Sequence, residues 1–262
     1  MPAATEGPLW LAVAGKGGVG KSVIAGTLAR ILARRGHRVL AIDSDPMPGL
    51  AQSLGVPEPA LPPLLDAAEK VGKRWQLKRG IGPARAVARY TTQAPDGVRL
   101  LQLGKADGEG LLSVDGSVNA FLKVVHRLHE PTSLQAWTIV GDLPAGPRHP
   151  AAGFSPYARL YVVIVEPSSQ SVLTARRIAH IARAHRGAEV LFVASKIDGA
   201  AERRQVERLL GERVALAVPS DPAVAAAERS GVAPLDAAPR SPAVRAVERL
   251  ADELESRTLA RT

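Results

Sequence analysis

Eight residues near the start of the chain, Gly15-Lys16-Gly17-Gly18-Val19-Gly20-Lys21-Ser22, combine four glycines, two lysines and a hydroxyl at a spacing that suits the handling of phosphate. The glycines leave backbone N–H groups free to curl around phosphate oxygens, and a helix opening directly behind them adds a positive partial charge. Lys21, at the end of the loop, reaches the β- and γ-phosphates of a nucleotide, and the Ser22 hydroxyl can ligate Mg²⁺. Lys16 is a second cation in a loop that needs one. Carboxylates stand at two other strand ends: Asp43 and Asp45 in AIDSDPMPGL, and Asp142 in WTIVGDLPAG. A carboxylate there can accept hydrogen bonds from an attacking water or from the water shell of a metal.

These residues need a scaffold that brings strand ends together, and the hydrophobic pattern supplies one. Short β-branched apolar runs alternate with longer Ala/Leu/Arg segments of helical period, the pattern of βα units and a mostly parallel sheet. Strands are expected at Trp10 to Ala14, Arg38 to Asp43, Val98 to Leu103, Trp137 to Asp142, Leu160 to Val165, Glu189 to Ala194 and Val214 to Val218. Helices are expected at Gly20 to Arg35, Ser117 to Leu128, Ser169 to Ala184, Ala201 to Leu210, Pro222 to Glu228 and Pro242 to Glu255. Nearly continuous apolar strands such as LYVVIV imply burial on both faces. The expected fold is therefore α/β, a P-loop NTPase with a mostly parallel twisted sheet of about seven or eight strands between two helical layers. One domain over residues 1–262 is expected, with a Pro-rich, then basic, excursion from the sheet at about residues 55–97.

Composition narrows the chemistry further. The 262 residues are 46% hydrophobic and contain no cysteine, which excludes disulfides, thiolate zinc sites and cysteine-ligated clusters in this chain. The opening MPAATEGPLW has neither the charged start nor the apolar centre of a secretory leader. No apolar run reaches the roughly 20 residues of a bilayer span, so the expected compartment is the cytoplasm. The net charge of +9 favours polyanionic neighbours but arises equally from an Arg/Ala-rich coding bias.

With its second lysine, GKGGVGKS resembles the deviant Walker A loop of the SIMIBI-class ATPases, the MinD/ParA superfamily. The resemblance runs from about Leu9 to Leu254 and is nearest to CooC-like accessory ATPases. It implies that ATP and Mg²⁺ are the cofactors, with Gly15 to Ser22 and Val23 cradling the phosphates. It also implies that Lys16 reaches across a nucleotide-sandwich homodimer to the partner's phosphates, as an arginine finger does. AIDSDP is similar to the family's switch I, so Asp45 would orient the attacking water and Asp43 would stand near the metal. Asp142 takes the Walker B position and Gly146 the switch II position, its N–H available to a γ-phosphate. VIVEPSSQSVLTARRI matches a downstream strand, proline, serine and helix unit. AVPSDPAVAAAERSGVAPLD matches the terminal base-binding region, giving Pro219, Ser220 and Asp221. Ser195, Lys196 and Asp198 occupy the base-reading segment; Ser195 replaces the usual Asn, and SKID also resembles a guanine-reading pattern. ATP is the expected nucleotide.

CooC-like proteins carry a Cys-x-Cys pair where Leu111 and Ser113 stand here, so no metal shared on thiolates is expected at that place. His126 and His129, three apart on an expected helix, could share a metal but read in preference as a partly exposed helix face. Arg148 and His149, just past switch II, either meet a partner, report nucleotide state, or lie in a solvated loop. Three roles follow: an accessory switch acting on a client protein, a ParA-like ATPase binding DNA non-specifically, and a MinD-like membrane-cycling ATPase. A DNA face would draw on Lys70, Lys73, Arg74, Lys78, Arg79, Arg85 and Arg89, or on Arg176, Arg177, Arg183 and Arg186. The stripe Val244, Val247, Leu250, Ala251 and Leu254 reads as a core helix in preference to a membrane anchor. Turnover is expected to be slow until a partner completes the site.

Overall fold

A computed structural model describes residues 8–45, 49–57, 64–103 and 111–259. Strand β1 (Trp10–Gly15) enters the phosphate loop, helix α1 (Lys21–Arg34) leaves it, and β2 (Val39–Asp43) follows. Next come α2 (Leu50–Leu54), the hairpin β3 (Ala68–Val71) and β4 (Arg74–Leu77), α3 (Pro83–Tyr90), β5 (Thr92–Gln93) and β6 (Arg99–Gln102). The chain continues through α4 (Leu111–Val125), α5 (Thr132–Gln135), β7 (Thr138–Asp142), α6 (Arg148–Ala151), β8 (Leu160–Val165) and α7 (Ser169–Arg186). It closes with β9 (Glu189–Ile197), α8 (Ala200–Leu210), β10 (Leu216–Pro219), α9 (Pro222–Arg229), α10 (Pro234–Ala237) and α11 (Pro242–Leu259).

Eight strands form one sheet in the order β10-β9-β8-β1-β7-β2-β6-β5, parallel throughout except for the short antiparallel edge β5. β1 lies between β8 and β7, which come much later in the chain, so the loop that follows it opens at a crossover point where α/β sheets bind ligands. Register does the positioning: Asp43 of β2 lies opposite Asp142 of β7, and Val13 of β1 opposite the same Asp142. All three strands end at one level. The carboxylates and the phosphate loop therefore share the C-terminal edge of the sheet.

Alternation within the central strands divides the core into two layers. Trp10, Ala12 and Ala14 face a layer built from α3, α4, α7 and α8, including the fully buried Phe121 and Ile178. Leu11 and Val13 face α1, α2 and α11. The stripe Val244, Val247, Leu250, Ala251 and Leu254 is buried in that second layer, as its helical spacing predicts. Each large side chain in it contributes about 1.5 to 3 kcal/mol by leaving water.

The excursion differs from expectation at its end. Residues 68–90 do leave the main sheet as the β3–β4 hairpin and α3, but Thr92–Gln93 return to it as the edge strand β5 against β6. The hairpin packs on α4 with Trp75 and Leu77 turned toward the core. Two positions weighed in the sequence fall elsewhere: Pro46 of the switch I segment, and the glycine-rich stretch 104–110 that precedes Leu111 and Ser113, lie outside the described residues.

Candidate nucleotide site

The loop between β1 and α1 turns through two glycines in the left-handed region, Gly18 (φ 79°) and Gly20 (φ 89°), a conformation costly for any residue with a Cβ. Gly20 is the residue before α1, so the first N–H groups of a 14-residue helix point into the loop. The two lysines diverge. Lys21 is only 8% exposed, and its ammonium donates to the carbonyl of Lys16 at 3.2 Å. Burial lowers its pKa, against the pull of Asp142 and Asp45. The Lys16 side chain is 39% exposed and turns to the other flank of the loop, where its Nζ donates to Glu166 Oε1 at 3.1 Å.

Asp142 and Asp43 are buried side by side. Burial pushes the Asp142 carboxyl up to about 6, with the Ser22 hydroxyl and the Lys21 ammonium working in the opposite direction. Burial, and then the neighbouring Asp142, push Asp43 up as well. Asp43 is structurally engaged: Oδ1 accepts the N–H of Asp45 and Oδ2 that of Leu50, both at 3.1 Å, which shapes the turn into α2. Asp142 Oδ1 is buried and has no hydrogen-bond partner. A carboxylate oxygen kept unpaired beside a serine hydroxyl is costly in the free protein and suits a hydrated divalent cation. Ser22, Asp142 and Asp43 thus fit Mg²⁺.

The residues expected to act as switches lie against this site. The Gly146 N–H donates to the carbonyl of Gly15 at 2.9 Å, so here it is docked on the phosphate loop. Gly146 itself adopts φ 85°. Asp45 is half-buried and close enough to bias both Lys21 and His149. His149 is half-buried, its ring centre 4.9 Å from that of Phe154 with the planes perpendicular, and its Nδ1 is buried without a partner. His149 thus packs against Phe154, while Arg148 is exposed. His126 and His129 are both exposed, as expected of a helix face, and His126 Nε2 also lies 2.9 Å from the Gly153 carbonyl, tying it to the segment after α6.

A second cleft adjoins the loop and is lined by Gly20, Val23, Thr27, Ser195, Lys196, Pro219, Ser220 and Asp221, together with α9, α10 and α11. Its walls are mainly apolar, which suits a purine, with the buried Ser195 among them. Lys196 adopts φ 56° and donates to the Gly18 carbonyl at 2.6 Å, tying the cleft to the loop. Asp221 caps α9 through the Ala223 N–H and also accepts the Ala243 N–H. Asp198 is exposed and outside the lining; its N–H is taken by Glu202. Thr27, Val224, Val244 and Val247 also line the cleft, and sequence reading missed them because only folding carries α9 and α11 to α1. Glu166 was missed too. Among the described residues no group of three metal-ligating side chains forms a separate centre, and no helix is long and apolar enough to cross a membrane.

Comparison with known proteins agrees with this geometry. The profile of the CobQ/CobB/MinD/ParA nucleotide binding domain matches residues 10–235. The carbon monoxide dehydrogenase accessory protein CooC of Rhodospirillum rubrum is 31% identical over 247 residues, covering 87% of this chain and 90% of that protein. The Pyrococcus furiosus cell division ATPase MinD superposes with a TM-score of 0.71 at 24% identity, over 95% of this chain and 99% of that one. MinD of Pyrococcus horikoshii OT3, solved with Mg-ADP, gives 0.71 at 18% identity, over 93% and 94%. These two likenesses concern the fold, whereas the profile and the CooC relative concern descent. A two-lysine phosphate loop, acidic strand ends in register and an apolar cleft beside the loop agree with both, and the chain belongs to the CobQ/CobB/MinD/ParA nucleotide-binding domain family as a P-loop ATPase of the MinD/ParA type.

Proposed function

We propose that the protein is an ATP-driven switch whose nucleotide-bound form is a sandwich homodimer that acts on a client protein. The observation that carries this reading is the divergence of the two lysines. Lys21 points inward, toward Asp142 and Asp45, and accounts for the phosphate of its own chain. Lys16 is turned to the exposed flank, where a second subunit's phosphates are its natural target. The likeness to CooC, an accessory protein of carbon monoxide dehydrogenase, supports a protein client. The missing cysteines mean that this chain offers no thiolates of its own to carry a soft metal to it.

In the cycle, the N–H groups of residues 17–22 and the Lys21 ammonium hold the β- and γ-phosphates, and the Ser195 to Asp221 cleft holds the base. Ser22, Asp142 and Asp43 would hold Mg²⁺, which would supply charge neutralisation to the phosphates. Asp45 accepts a hydrogen bond from the attacking water and aligns it. Gly146 leaves the Gly15 carbonyl and gives its N–H to the γ-phosphate, which pulls α6 and His149 with it. Loss of the γ-phosphate returns Gly146 to Gly15, and the dimer loosens.

Light scattering of the Asp45→Ala protein with and without ATP tests the reading. A mass near twice that of the monomer is expected with ATP only, and Lys16→Ala should lower dimer affinity by about tenfold or more, as loss of a trans cation does. A monomer under all conditions would falsify the sandwich dimer.

A further inference from the structure

Glu166 stands at the C-terminal end of β8, followed by Pro167, and faces the phosphate loop across 150 residues of sequence. Its carboxylate is fixed from several directions. Oε1 accepts from Lys16 Nζ at 3.1 Å and from Ser168 Oγ at 3.2 Å, while the Glu166 N–H donates to Ser171 Oγ at 3.0 Å. Ser168 is itself the cap of α7, accepting the Ser171 N–H, so the carboxylate is anchored to the first turn of an 18-residue helix. With 20% of its side chain exposed, it is more enclosed than the lysine it holds.

A carboxylate at the rim of a phosphate cradle repels the incoming anion unless a cation covers it. Lys16 covers it here, and the same ammonium is the one the sandwich dimer needs elsewhere. The two uses exclude each other, because reaching toward a second subunit takes Nζ away from Glu166. We infer that Glu166 is a positioning residue that holds Lys16 within its own chain in the nucleotide-free monomer and yields it when a partner's ATP arrives, so that it sets the threshold for dimerisation. This rests on the proposed trans role of Lys16. A half-exposed ion pair is worth up to about fivefold in an equilibrium constant, and a symmetric dimer releases two of them, up to about 25-fold together.

The test measures the ATP-dependent dimer constant by sedimentation in the Asp45→Ala background, comparing the parent, Glu166→Gln, Lys16→Ala and the Lys16→Ala/Glu166→Gln pair. The expected result is a dimer about 2- to 25-fold tighter for Glu166→Gln, with no gain from the same change once Lys16 is alanine. A Gln variant that dimerises no better than its parent overturns the inference, and so does a gain that persists without Lys16. Acylation of Lys16 by an acetyl N-hydroxysuccinimide ester, followed by mass spectrometry on the nucleotide-free monomer, reads the intrachain contact alone. It should run about two- to fivefold faster in Glu166→Gln, and equal rates also overturn the inference. If neither the parent nor the variant dimerises with ATP, the sandwich reading itself fails; a parent that dimerises beside an unimproved variant removes only the role of Glu166.

Discussion

At Asp142 the chain keeps a carboxylate out of water next to Asp43, with Ser22 and Lys21 as its compensating neighbours and one oxygen left unpaired. Such an arrangement favours ligand binding at the expense of the free protein. Burial raises the Asp142 pKa to about 6, above the value of 3.8 for an exposed aspartate, so the folded state resists its ionisation. As pH rises from about 4 the unfolded chain ionises first and folded stability falls, until the folded carboxyl has also ionised above about 7. Asp142→Asn removes that loss. The variant should match the parent near pH 4 and exceed it at pH 8 by on the order of 3 kcal/mol, or roughly 6 to 12 °C in thermal midpoint, when both are scanned without nucleotide. With Mg-ATP the order should reverse, because the variant has lost its cation partner. Equal midpoints at pH 4 and pH 8 would remove the claim that Asp142 is held under strain. The phosphate loop and Asp142 were legible in the sequence, since local spacing and a strand end carry them. Glu166 was not, because its partner is 150 residues away and EPSSQS reads locally as the start of a helix.

Helix α1 carries its own close approach. A Cβ on Gly26 would lie 2.7 Å from Ser53 Cβ and 2.9 Å from its carbonyl carbon, so α2 sits directly on the helix at a point where only glycine fits. Alanine in an isolated helix is more stable than glycine by about 1 kcal/mol. In this protein the sign should invert. Gly26→Ala is expected to cost about 1 to 3 kcal/mol in urea unfolding, because the backbone of α2 must retreat and cannot be relieved by a rotamer change. Since α2 follows Asp45, ATP affinity should fall in the same variant, and a stabilised protein would show that α2 is not seated as described. The long elements were legible because they bury whole faces: the parallel strands and α1, α7, α8 and α11 begin and end within a few residues of expectation. The hairpin was not. β3 and β4 are four residues each, rich in charge, and held mainly by packing on α4 and on each other. α4 begins at Leu111, six residues before the expected Ser117, and ends at Val125, three before the expected Leu128.

Over the whole molecule the excess positive charge is unevenly spread. Between residues 68 and 90 seven cations, Lys70, Lys73, Arg74, Lys78, Arg79, Arg85 and Arg89, face one carboxylate, Glu69, so this segment alone holds six of the surplus nine. All seven are exposed. Arg183, of the other basic set, is instead engaged by Glu212 through two hydrogen bonds. A concentrated, projecting patch of this kind attracts any polyanion, so charge by itself does not distinguish an accessory switch from a DNA-positioning ATPase; dependence on nucleotide does. A patch that only lends background attraction should bind random duplex DNA weakly, lose that binding steeply as salt rises from 50 to 200 mM, by roughly 10³-fold if about six phosphates are neutralised, and behave alike with and without ATP. That is the outcome expected here, because the hairpin lies outside the main sheet and its half-buried Trp75 is turned toward the core, away from any base. Neutralising Lys70, Lys73, Arg74 and Arg79 to glutamine should flatten the salt dependence by about four contacts' worth while leaving ATP-dependent dimerisation intact. Fluorescence anisotropy on a labelled duplex across the salt series, with the Asp45→Ala protein held in ATP or in ADP, decides the matter. Binding that persists at 200 mM salt only in ATP would move the protein from client switch to DNA-positioning ATPase and make the hairpin its working surface.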